Sequence, residues 1–175
     1  MSITIVVGTN RDNSLSEVIA EHYQTLLQEK GASSQIVNLQ DLPADFIISA
    51  LYKNSGKNPQ FNLIREAVVE SEKLIFIVPE YNGSFPGVLK AFIDGMPYPK
   101  GFEDKKIALV GLSSGVQGGA LALSHLNDIF SYLNAHVLGN KVKLIQIEKN
   151  MKDGKITNDL YNQLIDVQIE KFLKF

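Results

Sequence analysis

Ile3-Thr4-Ile5-Val6-Val7-Gly8-Thr9-Asn10-Arg11-Asp12-Asn13-Ser14-Leu15-Ser16 is the stretch on which the fold turns. Its first five residues form a nearly unbroken β-branched run, the pattern of a strand buried on both faces of a parallel sheet. The run stops at Gly8, and a polar loop follows. Beyond it Leu15, Val18, Ile19, His22, Tyr23, Leu26 and Leu27 recur at helical spacing and fall on one face. Gly31 is placed to terminate that helix. Strand, polar loop and amphipathic helix together are the opening of a βαβ unit.

The same alternation continues along the chain. Residues 35–39 read as a second strand, 63–71 as part of a second main helix, and 74–78 as the strongest strand, ended by Pro79. Pro86 stands where a helix can begin without losing a needed donor, with Val88, Leu89, Phe92, Ile93 and Met96 as its buried stripe. Residues 106–110 give a fourth strand, Leu126, Ile129, Phe130 and Leu133 a further helix, and residues 142–147 a fifth strand. Tyr161, Leu164, Ile165, Ile169 and Phe172 mark a terminal helix. Five strands alternating with five helices predict an α/β three-layer sandwich, since a barrel would need eight repeats and about 250 residues. The least regular stretch, residues 40–59, carries Phe46, Ile47, Ile48, Leu51 and Tyr52. It is too apolar for an idle loop and reads as a short helix or an interface.

Composition narrows the function. The chain has 175 residues, 45% hydrophobic and 21% charged, which suits one folded domain over residues 1–175 with an ordinary core. There is no Cys, which excludes thiolate catalysis, Fe–S clusters and Cys-ligated zinc. Seventeen Lys and Arg against 19 Asp and Glu give a formal net charge of −2, without the basic footprint of a nucleic-acid binder. No apolar run approaches the roughly 20 residues that span a bilayer, and no basic segment leads into a long apolar stretch at the N-terminus. A cytoplasmic location is the resulting expectation. No metal-ligand spacing occurs. His22, on an apolar helical stripe, and His125 read as core-edge or surface histidines.

In open parallel sheets, ligands gather beyond the carboxyl ends of the strands. Three loops there are unusual. The first, Gly8 to Ser16, combines a tight turn, the hydroxyls of Thr9, Ser14 and Ser16, the guanidinium of Arg11 and a helix N-terminus. That is chemistry for a phosphate monoester. Ser14-x-x-Glu17 also fits a capping box, so Ser14 as a plain helix cap stays open as an alternative. The two differ in one respect: a phosphate site needs the Glu17 carboxylate turned away. Neither G-x-x-x-x-G-K-[ST] nor G-x-G-x-x-G is present. The second loop sets Tyr81, Asn82 and Gly83 between a buried strand and a Pro-started helix, suited to a flat heterocycle or to a plain turn. The third runs Gly111-Leu112-Ser113-Ser114-Gly115-Val116-Gln117-Gly118-Gly119.

Gly8-Thr9-x-Arg11-x-x-Ser14-x-Ser16, together with Pro79-Glu80-Tyr81-Asn82-Gly83-Ser84-x-Pro86-Gly87-x-Leu89-Lys90, resembles the NADPH-dependent FMN reductase family, which includes azoreductase-like, quinone and chromate reductases. The resemblance implies a flavodoxin-like fold with a five-stranded parallel sheet in the order 2-1-3-4-5, non-covalent FMN, NADPH or NADH as co-substrate, and a homodimer or homotetramer. It further implies that Thr9, Arg11, Ser14 and Ser16 hold the FMN phosphate and that Pro79, Glu80, Tyr81, Asn82 and Gly83 border the isoalloxazine ring. Ser113, Ser114, Gly115 and Gly118 match the family's third flavin loop. Thr9 stands where Ser is commoner and Ala91 where Asn is frequent, departures that bear on substrate preference more than on cofactor binding. The implied reaction passes hydride from NAD(P)H through FMN to a small-molecule quinone, azo, chromate or flavin acceptor by ping-pong turnover, with no side chain as nucleophile or general acid.

Two other readings remain. A flavodoxin-type electron carrier would keep FMN and lack NAD(P)H oxidation, but the family pattern of such carriers is a phosphate loop without the central Arg and a strongly acidic face. Gly111-x-Ser113-x-Gly115 is also a literal nucleophile-elbow pattern. A serine hydrolase would have to draw its acid and base from Asp128 and His136, which share one helix-and-strand segment with little room for the usual loops.

Overall fold

The computed structural model describes residues 2–175. Five parallel strands form the centre: β1 (Ile3–Val7), β2 (Ser34–Asn38), β3 (Lys73–Pro79), β4 (Lys106–Leu112) and β5 (His136–Val137), in the order β2-β1-β3-β4-β5. The β-branched run of β1 is buried at every position because both faces of the sheet are covered. Ile3, Ile5 and Val7 face the helices α1 (Leu15–Glu29) and α6 (Asp159–Lys174), meeting Ile19, Tyr23, Leu27, Ile165, Ile169 and Phe172. Val6 faces the opposite layer, where α3 (Pro59–Val69), α4 (Gly87–Asp94) and α5 (Ala120–Tyr132) contribute Phe61, Val68, Leu89, Phe92, Leu126 and Phe130. This is the expected three-layer αβα arrangement with a flavodoxin-like strand order.

Residues 40–59 divide by burial. A single-turn helix, α2 (Phe46–Ser49), sends Phe46 into the core with Ala50 and Leu51, whereas Ile47, Ile48 and Tyr52 are 58%, 77% and 83% exposed. The fifth strand differs from the expected run over 142–147. Its place is filled by two pieces: β5 pairs with Lys106 and Ile107, and β6 (Val142–Leu144) pairs with Val110 to Leu112. Between them the chain leaves the ladder, and the side chain of Gln168, 1% exposed, takes over. Its Nε2 donates to Leu109 O at 3.0 Å and Asn140 O at 2.8 Å, and its Oε1 accepts from the Tyr23 hydroxyl at 2.8 Å. A buried carbonyl without a partner costs about 1–3 kcal/mol, so this amide makes the gap tolerable. A small hairpin, β7 (Met151–Lys152) with β8 (Lys155–Ile156), leads into α6.

At the amino ends of the strands, two buried lysines cap helix C-termini. Lys73 Nζ donates to Phe172 O at 2.6 Å and Leu173 O at 3.0 Å, and Lys105 Nζ to Val69 O at 2.7 Å. Burial, with the adjacent Lys106 charge, lowers the Lys73 pKa. At the carboxyl ends the ladder runs on into the loops: Gly8 N donates to Ile77 O, Glu80 N to Leu112 O and Ser113 N to Leu144 O at 2.8, 2.9 and 3.1 Å. The three loops are thereby held in register with one another. Gly8 has to be glycine for this, because a Cβ there would lie 2.9 Å from Ile77 O.

Candidate functional site

Ser14 starts the construction. With φ −77° and ψ 142° it is the N-cap of α1, and its hydroxyl accepts from Glu17 N at 3.2 Å. The capping box is not closed. Glu17 turns toward the end of β2, where its Oε1 accepts from Asn38 Nδ2 at 3.0 Å, the orientation that a phosphate site requires. The amides of Leu15 and Ser16 have no acceptor among the described residues, and at a helix N-terminus they carry the partial positive charge that favours an anion. Ser16 is 1% exposed as a residue, and its hydroxyl, at the cleft wall, has no hydrogen-bond partner among the described residues. Arg11, exposed on the rim, forms no salt bridge among them either.

Thr9 links this loop to the next. Its Oγ1 lies 2.8 Å from the Tyr81 hydroxyl and accepts from Arg11 N at 3.3 Å. The second loop is a tight turn in which Tyr81 N donates to Ser84 O and Ser84 N to Tyr81 O, at 2.8 and 3.0 Å. Asn82 and Gly83, at φ 53° and 73°, supply the two left-handed residues that such a turn demands. Ser84 Oγ is 2.9 Å from His125 Nδ1, which ties the turn to α5. Glu80 is used structurally: its Oε2 accepts from Gly119 N at 3.0 Å. In the third loop, Ser113 Oγ accepts from Gly118 N at 2.9 Å and donates to Gly115 O at 3.0 Å.

The loops enclose a cleft of about 350 Å³. It brings together Thr9, Arg11, Ser14, Ser16, Pro79, Glu80, Tyr81, Ser113 and Ser114 from widely separated parts of the chain. Asn82, Gly83, Gly115 and Gly118 do not line it. They shape the turns behind the lining. Sequence reasoning missed five lining residues: Asn13, Leu15, Leu112, Ile147 and Glu148. Leu15 and Leu112 were legible as neighbours of the loops, whereas nothing in the local sequence signals Glu148.

The donor set suits FMN. A phosphate monoester matches unpaired amides, a hydroxyl lacking a protein partner and an unpaired guanidinium at one wall, and Tyr81, Pro79 and Leu112 offer apolar surface for a flat ring. The serine-hydrolase reading fails on geometry. Ser113 follows the carboxyl end of β4, whereas His136 pairs with Lys106 at its amino end, about 20 Å away at 3.3 Å per residue. His136 Nε2 faces Asp104 at 3.6 Å, and the Ser113 hydroxyl is engaged within its own loop. Among the described residues, no group of three or more His, Cys, Asp or Glu could hold a metal ion, and no helix is long and apolar enough to cross a membrane.

Comparison with known proteins agrees with this chemistry. The profile of the NADPH-dependent FMN reductase family matches residues 1–149. An NAD(P)H-dependent FMN reductase of Pseudomonas aeruginosa is 34% identical over 171 residues, covering 93% of this chain and 85% of the relative. A 2-hydroxy-1,4-benzoquinone reductase of a Burkholderia species is 27% identical, covering 98% and 94%. The structure of FerB, a flavoenzyme NAD(P)H:(acceptor) oxidoreductase from Paracoccus denitrificans, superposes with a TM-score of 0.79 at 24% identity, over 99% of this chain and 95% of that one, a likeness of fold. The chain belongs to the NADPH-dependent FMN reductase family and is an oxidoreductase with FMN as cofactor and NAD(P)H as co-substrate.

Proposed function

We propose that residues 1–175 act as one FMN-binding domain that passes reducing equivalents from NAD(P)H to a small quinone, azo, chromate or flavin acceptor by ping-pong turnover. Bound FMN supplies the two-electron relay between nicotinamide and acceptor, and the protein binds and orients it. Arg11, Thr9, Ser14, Ser16 and the first amides of α1 hold the phosphate. Pro79, Glu80 and Tyr81 border the ring, with Asn82 and Gly83 shaping the turn behind them, and Ser113 and Ser114 form the third wall, with Gly115 and Gly118 shaping their loop. The observation that carries this reading is the unpaired set at the start of α1: the Arg11 guanidinium, the Ser16 hydroxyl and the Leu15 and Ser16 amides, with Glu17 turned away. A quinone acceptor is supported by the Burkholderia relative, whose own activity is on 2-hydroxy-1,4-benzoquinone.

The exposed side chains of Ile47, Ile48 and Tyr52 support the proposal that residues 40–59 pack across a two-fold interface of a homodimer, or of a homotetramer, and help wall the neighbouring site. The domain is proposed to work in the cytoplasm.

The test is steady-state NADPH and NADH oxidation by the FMN-loaded protein with a benzoquinone acceptor at several fixed concentrations. Parallel double-reciprocal lines are expected. Intersecting lines would overturn the ping-pong scheme, and negligible oxidation without a partner reductase would identify an electron carrier instead.

A further inference from the structure

Glu148 lines the cleft but belongs to none of its three loops. It is delivered by the 3-10 turn Ile147–Asn150, entered through Gln146 at φ 47°. Three hydrogen bonds fasten that turn to the third loop: Gln146 N to Gly115 O at 3.0 Å, Ile147 N to Ser113 O at 3.1 Å, and Ser114 Oγ to Glu148 Oε1 at 2.5 Å. The carboxylate is therefore held at the cleft wall rather than swinging free in solvent. It forms no salt bridge among the described residues. A carboxylate only accepts hydrogen bonds and has room for about four of them; Ser114 fills one. Glu80, the other acid of the cleft, likewise accepts one hydrogen bond, from Gly119 N, and forms no salt bridge among the described residues. The cleft thus has a cation and a helix N-terminus at one wall and two carboxylates without a cationic partner, of which Glu148 alone is delivered from outside the three loops.

We infer that Glu148 sets the oxidation-state preference of the cofactor, making the site hold oxidised FMN more tightly than reduced FMN. The inference rests on the assignment of this cleft to FMN. At neutral pH, reduction of a flavin ring takes up two electrons and one proton, which leaves one added negative charge. A fixed carboxylate in the same cleft opposes that charge. Glu148 is exposed, so the repulsion is largest at low ionic strength: at separations of about 10 Å, an effective dielectric of about 20 and a screening length of about 30 Å, it corresponds to roughly tenfold in a binding constant. NAD(P)H provides the electrons in turnover. The consequence for the reaction is a cofactor poised to pass them on, because the reduced form is the less favourably held one.

The experiment measures dissociation constants of oxidised FMN and of dithionite-reduced FMN, anaerobically and at about 10 mM ionic strength, for the wild-type chain, Glu148→Gln and Glu148→Ala. Gln keeps an acceptor for Ser114 and removes the charge; Ala removes both. In both variants the affinity for reduced FMN should gain about tenfold relative to oxidised FMN, an upward shift of about 30 mV for a two-electron couple. An unchanged ratio in Glu148→Gln overturns the inference. So does a parallel loss of both affinities confined to Glu148→Ala, which would make the residue a loop fastener. A wild-type chain that takes up neither form overturns the assignment of the cleft itself, and this inference with it.

Discussion

Replacing Arg11 by Ala removes a guanidinium that makes no salt bridge among the described residues, so the fold loses little. The Arg11 N–H to Thr9 bond is a backbone contact that alanine keeps. What is lost is the charged partner of the phosphate. Hydrogen bonds to charged groups contribute about 1.5–3 kcal/mol, and every 1.4 kcal/mol is a factor of ten. FMN should therefore bind about 10- to 100-fold more weakly. The side chain is exposed, so the lower end applies near physiological salt, where charges are screened over about 8 Å. The assay is quenching of flavin fluorescence on titration, with riboflavin as the control because it lacks the phosphate. Riboflavin affinity should stay within roughly twofold, since the charged hydrogen bond that is lost is to the phosphate. An FMN affinity that does not change, or a riboflavin affinity that falls in parallel, would refute the placement of the phosphate at the first loop.

Three further outcomes follow from the packing. Gly111→Ala would put a Cβ 2.3 Å from Gly118 O, displacing the third loop; FMN affinity should drop while circular dichroism stays native-like, and unchanged affinity would contradict the role given to that loop. Gln168→Leu strands Leu109 O, Asn140 O and the Tyr23 hydroxyl, and should lower unfolding free energy by about 2–4 kcal/mol in urea titrations with the slope unchanged. Burial lowers the His22 pKa from 6.5, opposed by Glu29, and Nε2 is a buried atom without a partner. The unfolded chain then binds the proton first, so His22 contributes stability above its unfolded pKa that is lost as pH falls through and below that value. Wild type should lose more stability between pH 7.5 and 5.5 than His22→Gln does, by paired urea titrations; equal losses would show that His22 is not the group responsible.

Much of the fold was legible because its period is written in residues that pack. The β-branched run of β1 and the helical stripe from Leu15 to Leu27 point to the same layer arrangement; β1 is buried throughout, and the stripe is buried at Ile19, Tyr23 and Leu27 and half-buried at Leu15, Val18, His22 and Leu26. The fifth strand was legible only in part. Val142-Lys143-Leu144-Ile145-Gln146-Ile147 is apolar enough to read as one strand, but only Val142–Leu144 pairs, because Gln146 turns the chain into a left-handed conformation, and the separate piece β5 pairs with the other end of β4. Within the site, the lining residues of the first loop could be read because they are contiguous and lie at a helix start. Glu148 could not, since it reaches Ser114 only through that unanticipated turn, and a lone Glu beside a Lys looks like any solvated surface pair. In residues 40–59, apolar composition alone could not separate Phe46, which fills the core, from Ile47 and Ile48, which face outward.

The broken fifth strand has a consequence for how this protein behaves in a crowd. A sheet margin of unpaired N–H and C=O groups is a template on which another chain can add a strand, and long flat margins seed fibrils. Here that margin is split into pieces of two and three residues separated by a detour of the chain. An incoming strand finds no continuous row of partners there, so aggregation along this border is discouraged by the backbone path, with the exposed Lys143 of β6 adding a charge to it.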